Sequence, residues 1–264
     1  MSVYALTSIS GSPGVTTTAV AWAYLSPTPT LIVEADPTGG SPILAGVMRG
    51  EQPHDVSIID LVGQPVDGYA YYVNERSLPL PGATDRRVLP GIAAPEQAKA
   101  LSSTWAQLGT SLEQLSRETG MTVLIDCGRV GHVHTPYPLI ERADAVLAFT
   151  HASLPALNAT HLGLEALRKI TSSTGTQRRL GVVALSGGKD SLRPYSSNEV
   201  AGVTAPTEVI ASLDFEPRRA AVYSGGVHPT RGHDFSGYVR SVKALITAGD
   251  RLVGAVRNVT GGAA

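Results

Sequence analysis

Short runs of apolar, largely β-branched residues return along this chain at 3–9, 31–35, 121–125, 145–149, 180–185 and 209–213. They are apolar at neighbouring positions, not at alternate ones, so a strand made from any of them has no face suited to water. Between them lie stretches with helical character: the Ala-rich 16–25, the apolar spacing of Ala98, Leu101, Trp105, Leu108, Leu112 and Leu115 within 95–119, then 154–171 and 238–247. A further strand is expected at 87–89 and a brief amphipathic element at 57–62. Strands buried on both faces and alternating with helices predict an α/β fold with a mostly parallel central sheet of about seven strands and helices on both faces. The 264 residues suffice for a single domain over 1–258, with a small-residue tail at 259–264 expected to be disordered.

Composition removes several classes of function. Hydrophobic residues make up 42% and charged residues 16%, the reverse of the balance that keeps a chain unfolded. The net charge of -1 supplies no overall basic field, so DNA binding has no support from charge. Cys127 is the only cysteine, which rules out an intramolecular disulfide and any multi-cysteine metal site. The N-terminal stretch lacks a basic leader and is broken by Gly11, Pro13 and Gly14, and no apolar run reaches membrane-spanning length. A cytoplasmic protein is expected.

Open parallel sheets bind ligands outside the C-terminal ends of their strands. The polar clusters of this chain fall at those ends, at 10–17, 34–40 and 126–131. In the first, Gly11 and Gly14 permit a tight turn from strand to helix, and the helix start offers free N–H groups to a phosphate. Gly11, Ser12, Pro13, Gly14, Val15, Thr16 and Thr17 are the candidate phosphate-binding residues, and Thr16 or Thr17 could place a hydroxyl on Mg²⁺. The second strand ends in Glu34-Ala35-Asp36-Pro37 and the third in Asp126. A glycine-rich loop, Asp36 and Asp126 together suit Mg²⁺ and a triphosphate.

The order of these motifs resembles that of the MinD/ParA-like P-loop ATPases. Residues 10–17, Ser-Gly-Ser-Pro-Gly-Val-Thr-Thr, are similar to that family's deviant Walker A loop, which usually reads Lys-Gly-Gly-Val-Gly-Lys-Thr-Thr. Residues 34–37 resemble its Asp-x-Asp-Pro switch, Asp126 its Walker B aspartate, and residues 195–200, 213–221 and 224–225 its adenine-side region. The resemblance implies ATP and Mg²⁺ as cofactors, Asp36 orienting the attacking water, and Thr16 and Asp126 holding the metal. It implies a homodimer and protein partners in a positioning, pilus, secretion or partitioning system. Both family lysines are missing: Ser10 and Val15 stand in their places, and the first of only four lysines is Lys99. Loss of such charge costs about 3 kcal/mol or more of transition-state stabilisation. A degenerate ATPase with weak or lost hydrolysis is therefore expected, or a pseudo-ATPase scaffold that binds no nucleotide. Arg129 is the nearest cation in sequence to the Walker B position.

Lesser features have plainer readings. His132 and His134 fall in a polar loop, and Cys127 follows a buried strand as a packed, inert thiol. Tyr69, Tyr71 and Tyr72 are expected in a strand or turn at the sheet edge. Leu252, Val256 and Val259 share a helical face that is too short and too weakly basic for membrane contact to be expected.

Overall fold

A computed structural model describes residues 2–11, 14–172, 179–187 and 195–260. Among these residues eight strands form: β1 (Val3–Ser8), β2 (Thr30–Glu34), β3 (Leu78–Pro79), β4 (Arg86–Leu89), β5 (Thr122–Arg129), β6 (Ala145–His151), β7 (Arg179–Gly187) and β8 (Val209–Asp214). All belong to one sheet, in the order β3-β4-β2-β5-β1-β6-β7-β8. Every pairing is parallel except that of β3 with β4. The expected count of about seven omits β3, a two-residue edge segment too short to leave a hydrophobic pattern.

The helices among the described residues are α1 (Val15–Leu25), α2 (Pro42–Ala45), α3 (Tyr69–Arg76), α4 (Trp105–Thr119), α5 (Tyr137–Arg142), α6 (Leu154–Ser172), α7 (Ser197–Thr204), α8 (Pro217–Ser224) and α9 (Gly237–Thr260). Residues 58–61 and 95–103 form 3₁₀ turns. Alternation along each central strand divides the core in two. Val3, Ala5, Leu31, Val33, Val123 and Ile125 face α3, α4, α5 and α6. Tyr4, Leu6, Ile32 and Leu124 face α1 and α9, where Tyr4 and Trp22 stack with ring centroids 4.9 Å apart. A strand covered on both sides must be apolar at consecutive positions, which is the pattern seen in the sequence.

Two expectations are corrected. Tyr69, Tyr71 and Tyr72 lie in helix α3, not in a strand or turn: Tyr69 is buried, the Tyr72 hydroxyl donates to Asp60 at 2.9 Å, and Tyr71 is exposed. The last helix does not stop near residue 247 but runs to Thr260, with Leu252 packed against the core and Val253 buried in it. The expected tail thus begins inside this helix, and residues 261–264 lie outside the described residues. No helix among the described residues is long and apolar enough to cross a membrane.

The sheet order fixes where a ligand can go. From β1 the chain passes through α1 to β2 on one side, and from β5 it crosses β1 to β6 on the other. The direction of winding reverses around β1, and the crevice at such a reversal opens at the C-terminal strand ends. Ile9, Ser10 and Gly11 leave β1 at that point.

Candidate functional site

The turn out of β1 is shaped by two glycines in left-handed conformation, Gly11 at φ 68° and Gly14 at φ 74°. Gly14 caps α1, and the first helical bond is donated by Thr18 N–H to the Gly14 carbonyl at 2.9 Å. No side chain among the described residues caps this end, which leaves the N–H groups of the first turn to an anion. Ser12 and Pro13 of the predicted loop lie outside the described residues. Val15 is 7% exposed and packs in the core with Ala19 and Val20, so it presents no polar group to the loop.

Strand β5 delivers Asp126 directly beside this helix start. Its Oδ2 accepts a hydrogen bond from Thr16 Oγ1 at 2.5 Å, and its Oδ1 accepts one from Gly128 N at 3.0 Å. The carboxyl is 2% exposed, and burial, opposed by the Thr16 and Gly128 bonds, raises it to about 6. β2 runs parallel to β5 with Glu34 opposite Asp126. Glu34 turns inward, accepting from Ser41 Oγ, from Gly91 N at 3.2 Å and from Ile43 N at 3.3 Å. It therefore pins the following loop and the segment after β4 from the inside. Burial pushes its carboxyl up to about 7.

Asp36, two residues on, is half-buried. Its Oδ1 accepts from Thr38 N at 2.8 Å and from Thr38 Oγ1 at 2.7 Å. The rest of its carboxylate lies against Gly128, where an added Cβ would come within 2.2 Å of Asp36 Cγ. Thr16, Asp36 and Asp126 thus converge on one small cleft of about 10 Å³, with Glu34 behind it. That is space for about one water-sized occupant. The donors facing it are hydroxyl and carboxylate oxygens, the hard set that Mg²⁺ prefers. No cage of three acidic, histidine or cysteine side chains forms among the described residues. Thr16 and Asp126 accordingly fit Mg²⁺ as a pair that leaves its other positions to water or phosphate oxygens.

A second cavity of about 230 Å³ opens beside Gly14, Thr17 and Thr18. Its remaining walls come from the ends of β6, β7 and β8 and from α8 and α9, and include His151, Leu213, Phe215 and Ala220. His151 and Phe215 meet edge-on with centroids 6.4 Å apart, and His151 Cδ2 lies 3.9 Å from where a Cβ on Gly11 would sit. Leu213, Ala220 and Ser224 had been marked by the sequence resemblance. Tyr195 instead packs with Leu157, Ala184 and Val200 in a separate small core. His151 was not singled out, although it ends β6 as Asp126 follows the apolar run of β5. The sequence signal that finds it is its place at a strand end.

Among the described residues, no lysine or arginine lines either cavity. Arg129 is exposed and has no hydrogen-bond or ion-pair partner among the described residues. Lys189 lies outside the described residues. Cys127 is fully buried with its thiol raised well above the usual range, first by burial and then by Asp126 and Asp36. His132 and His134 stack loosely in an exposed loop with ring centroids 5.8 Å apart.

Similarity over nearly the whole chain is found with solved structures. The fold is shared with MinD- and ParA-type ATPases. The MinC:MinD cell division complex of Aquifex aeolicus matches with a TM-score of 0.71 at 15% identity over 96% of each chain. The septum site-determining protein MinD of Pyrococcus horikoshii OT3, complexed with Mg-ADP, matches with a TM-score of 0.69 at 16% identity, covering 97% of this chain and 98% of its own. A ParA family ATPase from Chlorobium tepidum TLS matches with a TM-score of 0.69 at 13% identity, covering 92% and 98%. No protein-family model matches the chain, and no curated sequence matches it.

Proposed function

We propose that this chain is a MinD/ParA-like positioning or partitioning protein of the cytoplasm that binds ATP and Mg²⁺ weakly and hydrolyses ATP slowly or not at all. The observation that carries the reading is the Thr16–Asp126 pair, 2.5 Å apart beside an uncapped helix start. Thr16 and Asp126 would hold Mg²⁺, and the backbone of residues 11–17 would take the phosphates. The cavity beside Thr17 and Thr18 would take the nucleoside, and Asp36 would orient water. Bound Mg²⁺ would supply charge to the phosphates. The described side chains lining the two cavities supply none: Val15 is in the core, Ser10 is neutral, and Asp214 and Glu216 edge the second cavity. Phosphoryl transfer depends on such charge.

Calorimetric titration with ATP and Mg²⁺ tests this. Binding should be in the high micromolar range or weaker, about 5 kcal/mol, and Thr16→Ala should weaken it further. Tight binding that ignores both Mg²⁺ and Thr16→Ala would refute the site. Val15→Lys returns a cation to the loop at the expense of core packing. It should lower the ligand-free melting temperature while making that temperature respond to ATP. If Val15→Lys gains no ATP response, the pseudo-ATPase scaffold is the better account. A homodimer and a protein partner are part of the same proposal. Light scattering with and without ATP reports the first.

A further inference from the structure

A larger cavity, about 540 Å³, lies away from the strand ends and shares no lining residue with either space described above. The end of α1, the loop after α2, the end of α8 and the turn before α9 enclose it. Its size falls within the range of small-molecule sites. Tyr24 and Tyr223 form one wall, with ring centroids 6.2 Å apart, and Met48 is buried behind them.

Two polar features are unusual. Arg49 is the one non-glycine residue with positive φ among the described residues, at 56°. A side chain with a Cβ is strained there, and such strain gathers where a group must be held in place. The loop that holds it runs close against the end of α8, where a Cβ on Gly46 would collide with the Ser224 carbonyl oxygen. Arg49 Nη2 donates to the Gly226 carbonyl at 2.8 Å and lies 3.4 Å from His228 Nε2, which leaves most of its five N–H groups unspent. The second feature is His233, 5% exposed. Its Nε2 is 3.1 Å from the Tyr223 hydroxyl, while its buried Nδ1 has no hydrogen-bond partner. A buried polar atom without a partner is rare and costly.

We propose that this cavity binds a flat aromatic monocarboxylate. The ring lies against Tyr24, Met48 and Tyr223, whose hydroxyl is held by His233, and the carboxylate meets the guanidinium of Arg49. A planar fork of donors matches a carboxylate, and tyrosine walls match a ring. Glu51 and Asp234 also line the cavity, and their carboxylates disfavour a ligand with more than one negative charge. Polyphosphates do not fit that rim.

Indole-3-acetate, tryptophol and tryptamine share one ring and differ in charge, so titrating each into the full chain and following backbone amide shifts tests the assignment. Indole-3-acetate should bind saturably, about tenfold more tightly than the other two, and saturating ATP and Mg²⁺ should not displace it. Arg49→Gly should raise the melting temperature, since it relieves the backbone, and should abolish the preference for the carboxylate. Arg49→Asn, which tolerates the same backbone, should abolish it too. Tryptamine binding as tightly as indole-3-acetate, or a preference that survives both variants, overturns the proposal. So does the absence of saturable binding by all three at millimolar concentration, which would point to a protein side chain as the occupant.

Discussion

At Gly128 a single hydrogen separates β5 from the Asp36 loop. The residue has φ 60°, and a methyl group there would press within 2.2 Å of the Asp36 carboxylate. Gly128→Ala combines left-handed strain with overpacking and should cost about 2–4 kcal/mol, read from urea unfolding. Glu34 makes a prediction of a different kind. Its carboxyl is raised from the ordinary 4.5 to about 7, mainly by burial. The folded state therefore favours the protonated form. The stability this proton gives is complete below pH 4.5 and is lost as pH rises through 7. Between those limits the group should account for a decline of about 3 kcal/mol, and Glu34→Gln should flatten the wild-type curve by that amount. Neither effect was legible in the sequence. Glu34 reads there as a switch acid facing a ligand, whereas its three donors come from residues 41, 43 and 91, which only folding brings together.

Helix α9 shows at the scale of an element what a sequence can and cannot disclose. Gly249 and Gly254 look alike as interruptions, and the apolar spacing before them suggests an end near residue 247. In the fold a Cβ on Gly249 would lie 2.8 Å from Trp22 Cη2 and 3.2 Å from Tyr4 Cε1, while one on Gly254 would have nothing within 4 Å. The first glycine lets the helix settle onto α1 and β1, where the Tyr4 hydroxyl donates to Asp250 at 2.9 Å. The second has no such contact. Gly249→Leu should therefore destabilise by about 2 kcal/mol or more through overpacking, and Gly254→Ala should stabilise by about 1 kcal/mol through helix propensity. Thermal melts of the pair should move in opposite directions. The strands were easier to read, because burial on both faces leaves an unbroken apolar run. Helix α3 was not, because tyrosines and Asn74 carry little helical signal and its place is set by the burial of Tyr69 and Val73.

Over the whole molecule, the sheet and the Asp126 end of the site were legible because parallel topology sends functional residues to strand ends, where sequence order preserves them. The 540 Å³ cavity was not, since its walls are drawn from residues 24, 49, 223 and 233 and no local pattern joins them. The two larger cavities nonetheless share two helices. α1 offers Thr17 and Thr18 to one and Tyr24 to the other; α8 offers Ala220 to one and Tyr223 to the other. An 11-residue helix spans roughly 16 Å. Ligands at its two ends are then bound by thermodynamic linkage: whatever factor the first imposes on the affinity of the second, the second returns to the first. Measuring ATP affinity at several fixed concentrations of indole-3-acetate, and the converse, closes that cycle. A ratio common to both titrations and different from one would make a binding protein into a sensor, reporting the level of one small molecule through its occupancy by another.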